Sequence, residues 1–195
     1  MKLARIITVL AFVLAGTSLF ADTYKIDPKH SRVEFSVKHL TISTVRGTFK
    51  TFDATIDFDP NDPSKDSITG TIKTASIDTG NDARDNDLRT NPEFFVTDKN
   101  PDITFKSTKV EKKGDVYNVT GTLTIKGVSK DVVLPVTING PIKDPMGGSQ
   151  RIGIETSLTI KRHDYGIVWD KHLDNGGAVV SEDVQISITG EATSK

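Results

Sequence analysis

The sequence predicts an all-β domain of about eight antiparallel strands with one or two short helices. Three observations predict it. Apolar and polar residues alternate with a period of two in run after run from Arg32 to Gly190, and side chains of an extended chain point to opposite faces in turn. Gly, Pro, Asn or Asp bounds each run. Too little helix separates the runs for parallel crossovers, so neighbouring strands are expected to pair antiparallel.

Before the first strand comes a leader. Lys2 and Arg5 form a short basic segment, Ile6 to Leu14 (IITVLAFVL) an apolar one, and AGTSLFA ends on Ala21 with Leu19 at the −3 position. This order reads as a secretory signal peptide cut after Ala21, which leaves residues 22–195 as one exported domain, periplasmic or secreted. The apolar run is too short to span a bilayer, and no later run approaches about 20 apolar residues, so no membrane span is expected. The chain has no cysteine, which excludes disulfides, thiolate metal sites and a lipid-attached cysteine. The 174 residues left of 195 suit one domain that buries roughly two-thirds of its unfolded surface. Without Lys2 and Arg5, 23 basic residues face 26 acidic ones, a net charge of −3. Both signs are interspersed without a basic block, so nucleic acid is not an expected partner.

The first strand, RVEFSVKH, puts Val33, Phe35 and Val37 on one face, and His39 lands on that same apolar face. Val45, Gly47 and Phe49 follow, then Phe52, Ala54, Ile56 and Phe58 in opposite phase, so a bulge or bend is expected at Lys50 and Thr51. Next come Ile68, Gly70 and Ile72. Between Thr79 and Val96 the alternation stops; Asn81 or Asp82 can cap a short helix that ends before Pro92. Ile103 and Phe105 resume the pattern, followed by Tyr117 to Ile125 and Val132 to Ile138. Ile152, Ile154, Thr156, Leu158 and Ile160 carry the alternation to Arg162, and His163 to Ala178 reads as a long loop with at most one helical turn. Val184, Ile186, Ile188 and Gly190 form the last strand.

Such strands can pack as a sandwich or close into a barrel. Small residues on the apolar faces (Gly47, Ala54, Gly70, Gly121, Gly190) favour the barrel, where inward glycines suit tight curvature or close approach to a ligand. A barrel of this size either fills its lumen with its own side chains or holds one small ligand.

Chemistry-bearing motifs are sparse. The histidines His30, His39, His163 and His172 lack metal-ligand spacing, and no nucleophile elbow, P-loop or dinucleotide fingerprint occurs. No metal, cofactor or catalytic residue is expected. Two polar residues interrupt apolar faces, His39 and Arg162. Each is either a hydrogen-bonded rim residue or one of the few polar groups that orient a ligand's head. A buried Arg162 also needs a carboxylate partner, for which Asp164 or Asp85 is available. Phe94, Phe95 and Trp169 either plug the core or form a lid over an entrance. Lys38, Lys73, Lys126 and Lys161 read as solvated charges.

Seven stretches in order, HSRVEFSVKH (30–39), Gly47 with Phe49, SIDTGNDARD (76–85), Phe94–Phe95, PDITFKST (101–108), GTLTIKGV (121–128) and RHDYG (162–166), resemble the YceI family. The resemblance implies an exported bacterial protein with a lipocalin-like antiparallel barrel that holds a polyisoprenoid or another long-chain amphiphile. It implies a lumen lined by Phe35, Val37, Phe49, Phe105, Leu123, Ile125, Ile154, Leu158 and Ile160, with His39 and Arg162 at its polar end. One position departs from the family: its usual pattern resembles RDxHL, and this chain reads RDNDL, with Asp87 in place of the histidine. The expected function is a non-catalytic carrier of a long apolar chain, such as an isoprenoid quinone precursor or a fatty-acid derivative. The alternatives are a lipid- or isoprenoid-modifying enzyme using His39, or a stress-protective barrel with a filled lumen. The expected partner is the lipid ligand, with a homodimer left open.

Overall fold

A computed structural model describes residues 21–145, 147–174 and 176–194; the expected leader falls almost wholly on residues 1–20, outside them. Among the described residues there are eleven strand segments: β1 (Asp22–Ile26), β2 (Arg32–His39), β3 (Ser43–Phe49), β4 (Phe52–Phe58), β5 (Ser67–Lys73), β6 (Ile77–Asp78), β7 (Asp102–Lys113), β8 (Val116–Ile125), β9 (Val128–Lys143), β10 (Gln150–Lys161) and β11 (Val180–Ser194). One helix, α1 (Asp82–Thr90), lies between β6 and β7.

The segments make eight strands. β11 pairs with β1 through Ala192 to Ser194 and with β2 through Val180 to Thr189, so β1 and β2 are two halves of one interrupted strand. β3 and β4 form the next, against β2 and β1 respectively, and β5 and β6 the third, against β4 and β3. β7 to β11 follow in chain order, every pair antiparallel, and β11 closes on β1. The product is an eight-stranded antiparallel barrel.

Each interruption has a local cause. Between β1 and β2, Asp27 accepts a hydrogen bond from the Lys29 amide and caps a 3-10 turn at Pro28–His30; proline is suited there because its missing N–H has no partner to lose. Between β3 and β4, the expected bend at Lys50 and Thr51 is present, with both amides donating to Ser76, at its carbonyl (3.1 Å) and its hydroxyl (3.0 Å). The β1 strand was not legible in the sequence: only Tyr24 of its five residues is fully buried, so it shows almost no alternation.

The two ends of the barrel differ. At the end ringed by β1, Tyr24, Phe58, Tyr117, Val119, Val136 and Ile152 are buried, and the Phe58 ring meets Tyr117 edge-on at 5.6 Å. This end is packed solid. At the other end β6 has only two residues and does not reach β7. The helix α1 covers that opening. Asn81 caps it by accepting from the Arg84 amide. Asp85, 4% exposed, accepts from both the amide (2.9 Å) and the hydroxyl (2.5 Å) of Thr79. Arg89 donates to the carbonyls of Ala75 and Ile77. Asp85 is thus committed to holding α1 and is not the partner of Arg162.

Candidate functional site

Alternation sends the apolar residues of every strand inward, and they do not fill the space. Two adjoining cavities occupy the lumen above the packed end, a lower one of about 170 Å³ and an upper one of about 290 Å³. Together they reach the lower end of the ~300–1,000 Å³ typical of small-molecule sites. Phe35, Phe49, Ile103, Ile125 and Ile186 border both. The filled-lumen alternative does not describe this interior.

The residues expected to line the lumen do so. Phe105, Leu123, Ile154 and Leu158 face the lower cavity, Val37, His39, Ile160 and Arg162 the upper, and Phe35, Phe49 and Ile125 both. The exterior is polar by the same alternation. On β8, for example, Asn118, Thr120, Thr122 and Thr124 face away from the buried Tyr117, Val119, Leu123 and Ile125.

The inward glycines divide in a way the sequence did not reveal. Gly47 pairs with Phe35, whose ring lies across it: a Cβ there would sit 2.7 Å from Phe35 Cε1. The Phe105 ring covers Gly121 likewise, with Cε2 at 2.8 Å. These two glycines admit a neighbouring ring, not a ligand. Gly70 is different, because a Cβ there would meet nothing closer than 3.8 Å and it borders the lower cavity.

Phe94, Phe95 and Trp169 border the upper cavity. Phe94 stacks on Trp169 (5.8 Å between centroids) and Phe95 meets Phe49 edge-on. The main chain joins their two loops, since the amides of Val168 and Trp169 donate to the Glu93 carbonyl at 2.9 and 3.4 Å. Lys126 ties the pair to the barrel, its ammonium donating to the carbonyls of Pro92 and Gly166, each at 2.7 Å. Lys126 is therefore not a simple solvated charge, and burial pushes its pKa downward. The three aromatics form a bonded cap.

Arg162, 4% exposed, follows β10 at the start of a 3-10 turn. Its guanidinium donates to the carbonyls of Ser181 (3.0 Å), Ile167 (3.1 Å), Trp169 (2.6 Å) and Val180 (3.3 Å). Its nearest carboxylate is Asp170, at 3.8 Å. Neither Asp164, which faces Lys130 at 3.6 Å, nor Asp85 plays that part. Burial lowers the Arg162 pKa while Asp170 and Glu182 oppose that shift. Arg162 borders the upper cavity and at the same time spends its donors on the loop that carries Trp169.

The remaining polar groups at the upper cavity are His39, Thr79, Arg84 and Asp87. Arg84 uses Nε and Nη2 on Thr79, and Asp87 accepts from Asn91 Nδ2 at 3.1 Å. The α1 contribution was missed at Arg84 because the helix looked like solvated charge. Only its spacing from Asp87, one turn on, could have placed both on one face. Among the described residues no group of three or more His, Cys, Asp or Glu side chains is placed to hold a metal ion, and no helix is long and apolar enough to cross a membrane.

Comparison with known proteins identifies matching chains. Residues 24–192 match the YceI-like domain. A UPF0312 protein of Serratia proteamaculans is 43% identical over 187 residues, covering 95% of this chain and 93% of that protein. The crystal structure of Burkholderia cenocepacia BcnA superposes with a TM-score of 0.75 at 30% identity, covering 86% of this chain and 99% of that one. A polyisoprenoid-binding domain from Saccharophagus degradans, implicated in plant cell wall breakdown, shares the fold at a TM-score of 0.65 and 17% identity, covering 90% of this chain and 99% of that one.

Proposed function

This chain belongs to the YceI-like domain family, and from that premise we propose that it is an exported, non-catalytic carrier of one long-chain apolar molecule, a polyisoprenoid, an isoprenoid quinone precursor or a fatty-acid derivative. The observation that carries the reading is the pair of adjoining apolar cavities, deep in the barrel and polar only at the upper rim. A structural relative described as polyisoprenoid-binding supports the ligand class.

Magnitudes assign the parts. Burying ten methylenes contributes roughly 8 kcal/mol at about 0.8 each, whereas a hydrogen bond to a charged group nets about 1.5–3 kcal/mol. The lumen supplies affinity and the rim selects the head group. His39 faces the head from β2, and Arg84 and Asp87 from α1. Arg162 shapes that wall and holds the cap. With a cation and a carboxylate one helical turn apart, the rim suits a head that both donates and accepts hydrogen bonds.

The test is native mass spectrometry of protein purified from its own host without detergent, followed by solvent extraction. The expected result is one long-chain molecule per barrel on a chain that begins at Asp22. Leu158→Asp, which places an unpaired charge in the lumen, should release the ligand or block loading. An empty barrel that also takes up neither isoprenoids nor fatty amides in vitro overturns the carrier reading, and a retained Met1 overturns export.

A further inference from the structure

The mouth of the upper cavity presents apolar side chains to water. β2 and β3 are joined by the tip Leu40–Thr41–Ile42, which follows directly on His39 at the cavity's edge. Leu40 and Thr41 are both left-handed, with φ of 53° and 63°, a conformation in which Asn and Gly are the ordinary residues and a β-branched side chain is an outlier. Ile42 is 83% exposed, more than any other large hydrophobic among the described residues. A tip that only turned the chain would need neither the strain nor the isoleucine. Val168, 49% exposed, lies in the cap loop next to Trp169. Main-chain bonds hold the tip and this loop side by side: the Leu40 amide donates to the Val179 carbonyl and the Val179 amide to the Lys171 carbonyl, each at 2.8 Å. The Lys171 ammonium stands 5.6 Å from the centre of the Trp169 ring. Over residues 38–46 and 168–174, three exposed cations, Lys38, Arg46 and Lys171, meet two acids, Asp170 and Asp174. Asp170 is turned back to Arg162 (3.8 Å) and His172 (3.4 Å). These segments are net positive on a domain whose net charge is −3.

We propose that this face docks on a lipid bilayer with anionic head groups. The Leu40–Ile42 tip enters the boundary between head groups and acyl chains, Lys38, Arg46 and Lys171 settle on the head groups, and the mouth of the upper cavity is set against the lipid. The choice of a bilayer as partner rests on the carrier reading. A chain too apolar for water has to be collected from, and returned to, a phase that dissolves it, because release into water gives up the burial of every methylene. The residues match the layer they would meet. An isoleucine at a narrow tip reaches the acyl boundary, while lysine and arginine lay their apolar stems along it and keep the charge at head-group level. A tryptophan, with an apolar body and a polar edge, belongs in the same layer. A tip of three residues supplies far less than the roughly 800 Å² per partner of a stable protein interface.

The test is co-flotation of the protein with vesicles of phosphatidylethanolamine and phosphatidylglycerol in equal parts, and with vesicles of phosphatidylcholine alone. The wild type should float with the anionic vesicles. Ile42→Ser should weaken that binding about tenfold, by taking one isoleucine out of the hydrocarbon, and should leave the unfolding temperature unchanged because Ile42 is exposed in the free protein. Lys38→Gln combined with Lys171→Gln should weaken it about tenfold or more on anionic vesicles and have little effect on phosphatidylcholine. Ile142→Ser is the control: Ile142 is 60% exposed but lies at the packed end, opposite Arg151, and its loss should change nothing. A wild type that binds neither vesicle, or an Ile42→Ser variant that binds as well as the wild type, overturns the docking surface. So does a dimer that dissociates in Ile42→Ser while no vesicle is bound, which would assign the tip to a second copy of the chain. The lipid found on the purified barrel tests the carrier reading separately. A loaded barrel that ignores vesicles removes only the docking surface, and an empty one that binds them through Ile42 removes only the carrier reading.

Discussion

Arg162 and Asp66 show how differently a buried charge can be accommodated. Arg162 replaces water with four main-chain carbonyls, an arrangement that depends on the planar fork of the guanidinium. Arg162→Lys keeps the charge and loses the fork, so it should destabilise the protein by about 2–3 kcal/mol through carbonyls left without donors. Denaturant unfolding measures this, and competition between ligands of equal chain length should show the head-group ranking unchanged. A changed ranking at wild-type stability would return Arg162 to direct head-group contact. Asp66 is compensated far less. Burial, with the charges of Asp59 and Asp62 adding to it, raises its pKa from 3.8 to about 6; one of its oxygens accepts from the Asp59 amide and the other has no hydrogen-bond partner among the described residues. Because the folded pKa is the higher one, the penalty is absent below about pH 4. It grows as pH rises and is complete above about 6. At full burial the displacement would be worth up to roughly 3 kcal/mol, and partial exposure reduces it. Asp66→Asn should therefore stabilise by about 1 kcal/mol at pH 8 and have little effect at pH 4. Equal effects at both pH values would contradict this account.

Among the elements, α1 and the two cap loops close over the upper cavity. Lys126 holds both loops through two carbonyls from one ammonium. Lys126→Met keeps most of the stem and removes both bonds, so it should cost about 1–3 kcal/mol. Amide exchange should quicken first at Phe94, Phe95 and Val168, and a bound chain should leave several times faster. Unchanged exchange there would show that the Phe94–Trp169 stack alone keeps the cap shut. The strands other than β1 and the two-residue β6, the bend at Lys50 and the Asn81 cap were legible in the sequence, because alternation and capping are local properties written in neighbouring residues. The roles of Lys126 and Arg162 were not, since their partners are carbonyls, which every residue carries and no side-chain pattern marks. The helix misled in the same way: Asp85 looks like one more surface acid until Thr79 is brought against it.

For the whole molecule, the barrel with apolar lining was legible, and where its side chains leave space was not. A glycine opposite an aromatic reads the same in the sequence as a glycine facing open space, and only the register separates Gly47, covered by Phe35, from Gly70. Gly70 lies opposite Ala54 on β4 and Phe105 on β7. With no atom within 3.8 Å of a Cβ, a side chain grafted there projects into the lower cavity without displacing its neighbours at the root. Gly70→Leu should therefore do two things at once. It should stabilise the ligand-free barrel by about 1 kcal/mol, by replacing glycine within a strand and filling void with hydrocarbon. It should also shorten the longest chain accepted, because the upper cavity of about 290 Å³ is left to hold the tail alone. The measurements are thermal unfolding of delipidated protein and binding across a chain-length series. A stabilised variant that still takes the longest chains would mean the ligand never enters the lower cavity. A variant that unfolds would mean that the void at Gly70 closes in solution. A gain in stability coupled to a loss of long-chain binding identifies the cavity as space kept for the ligand at a cost to the empty protein.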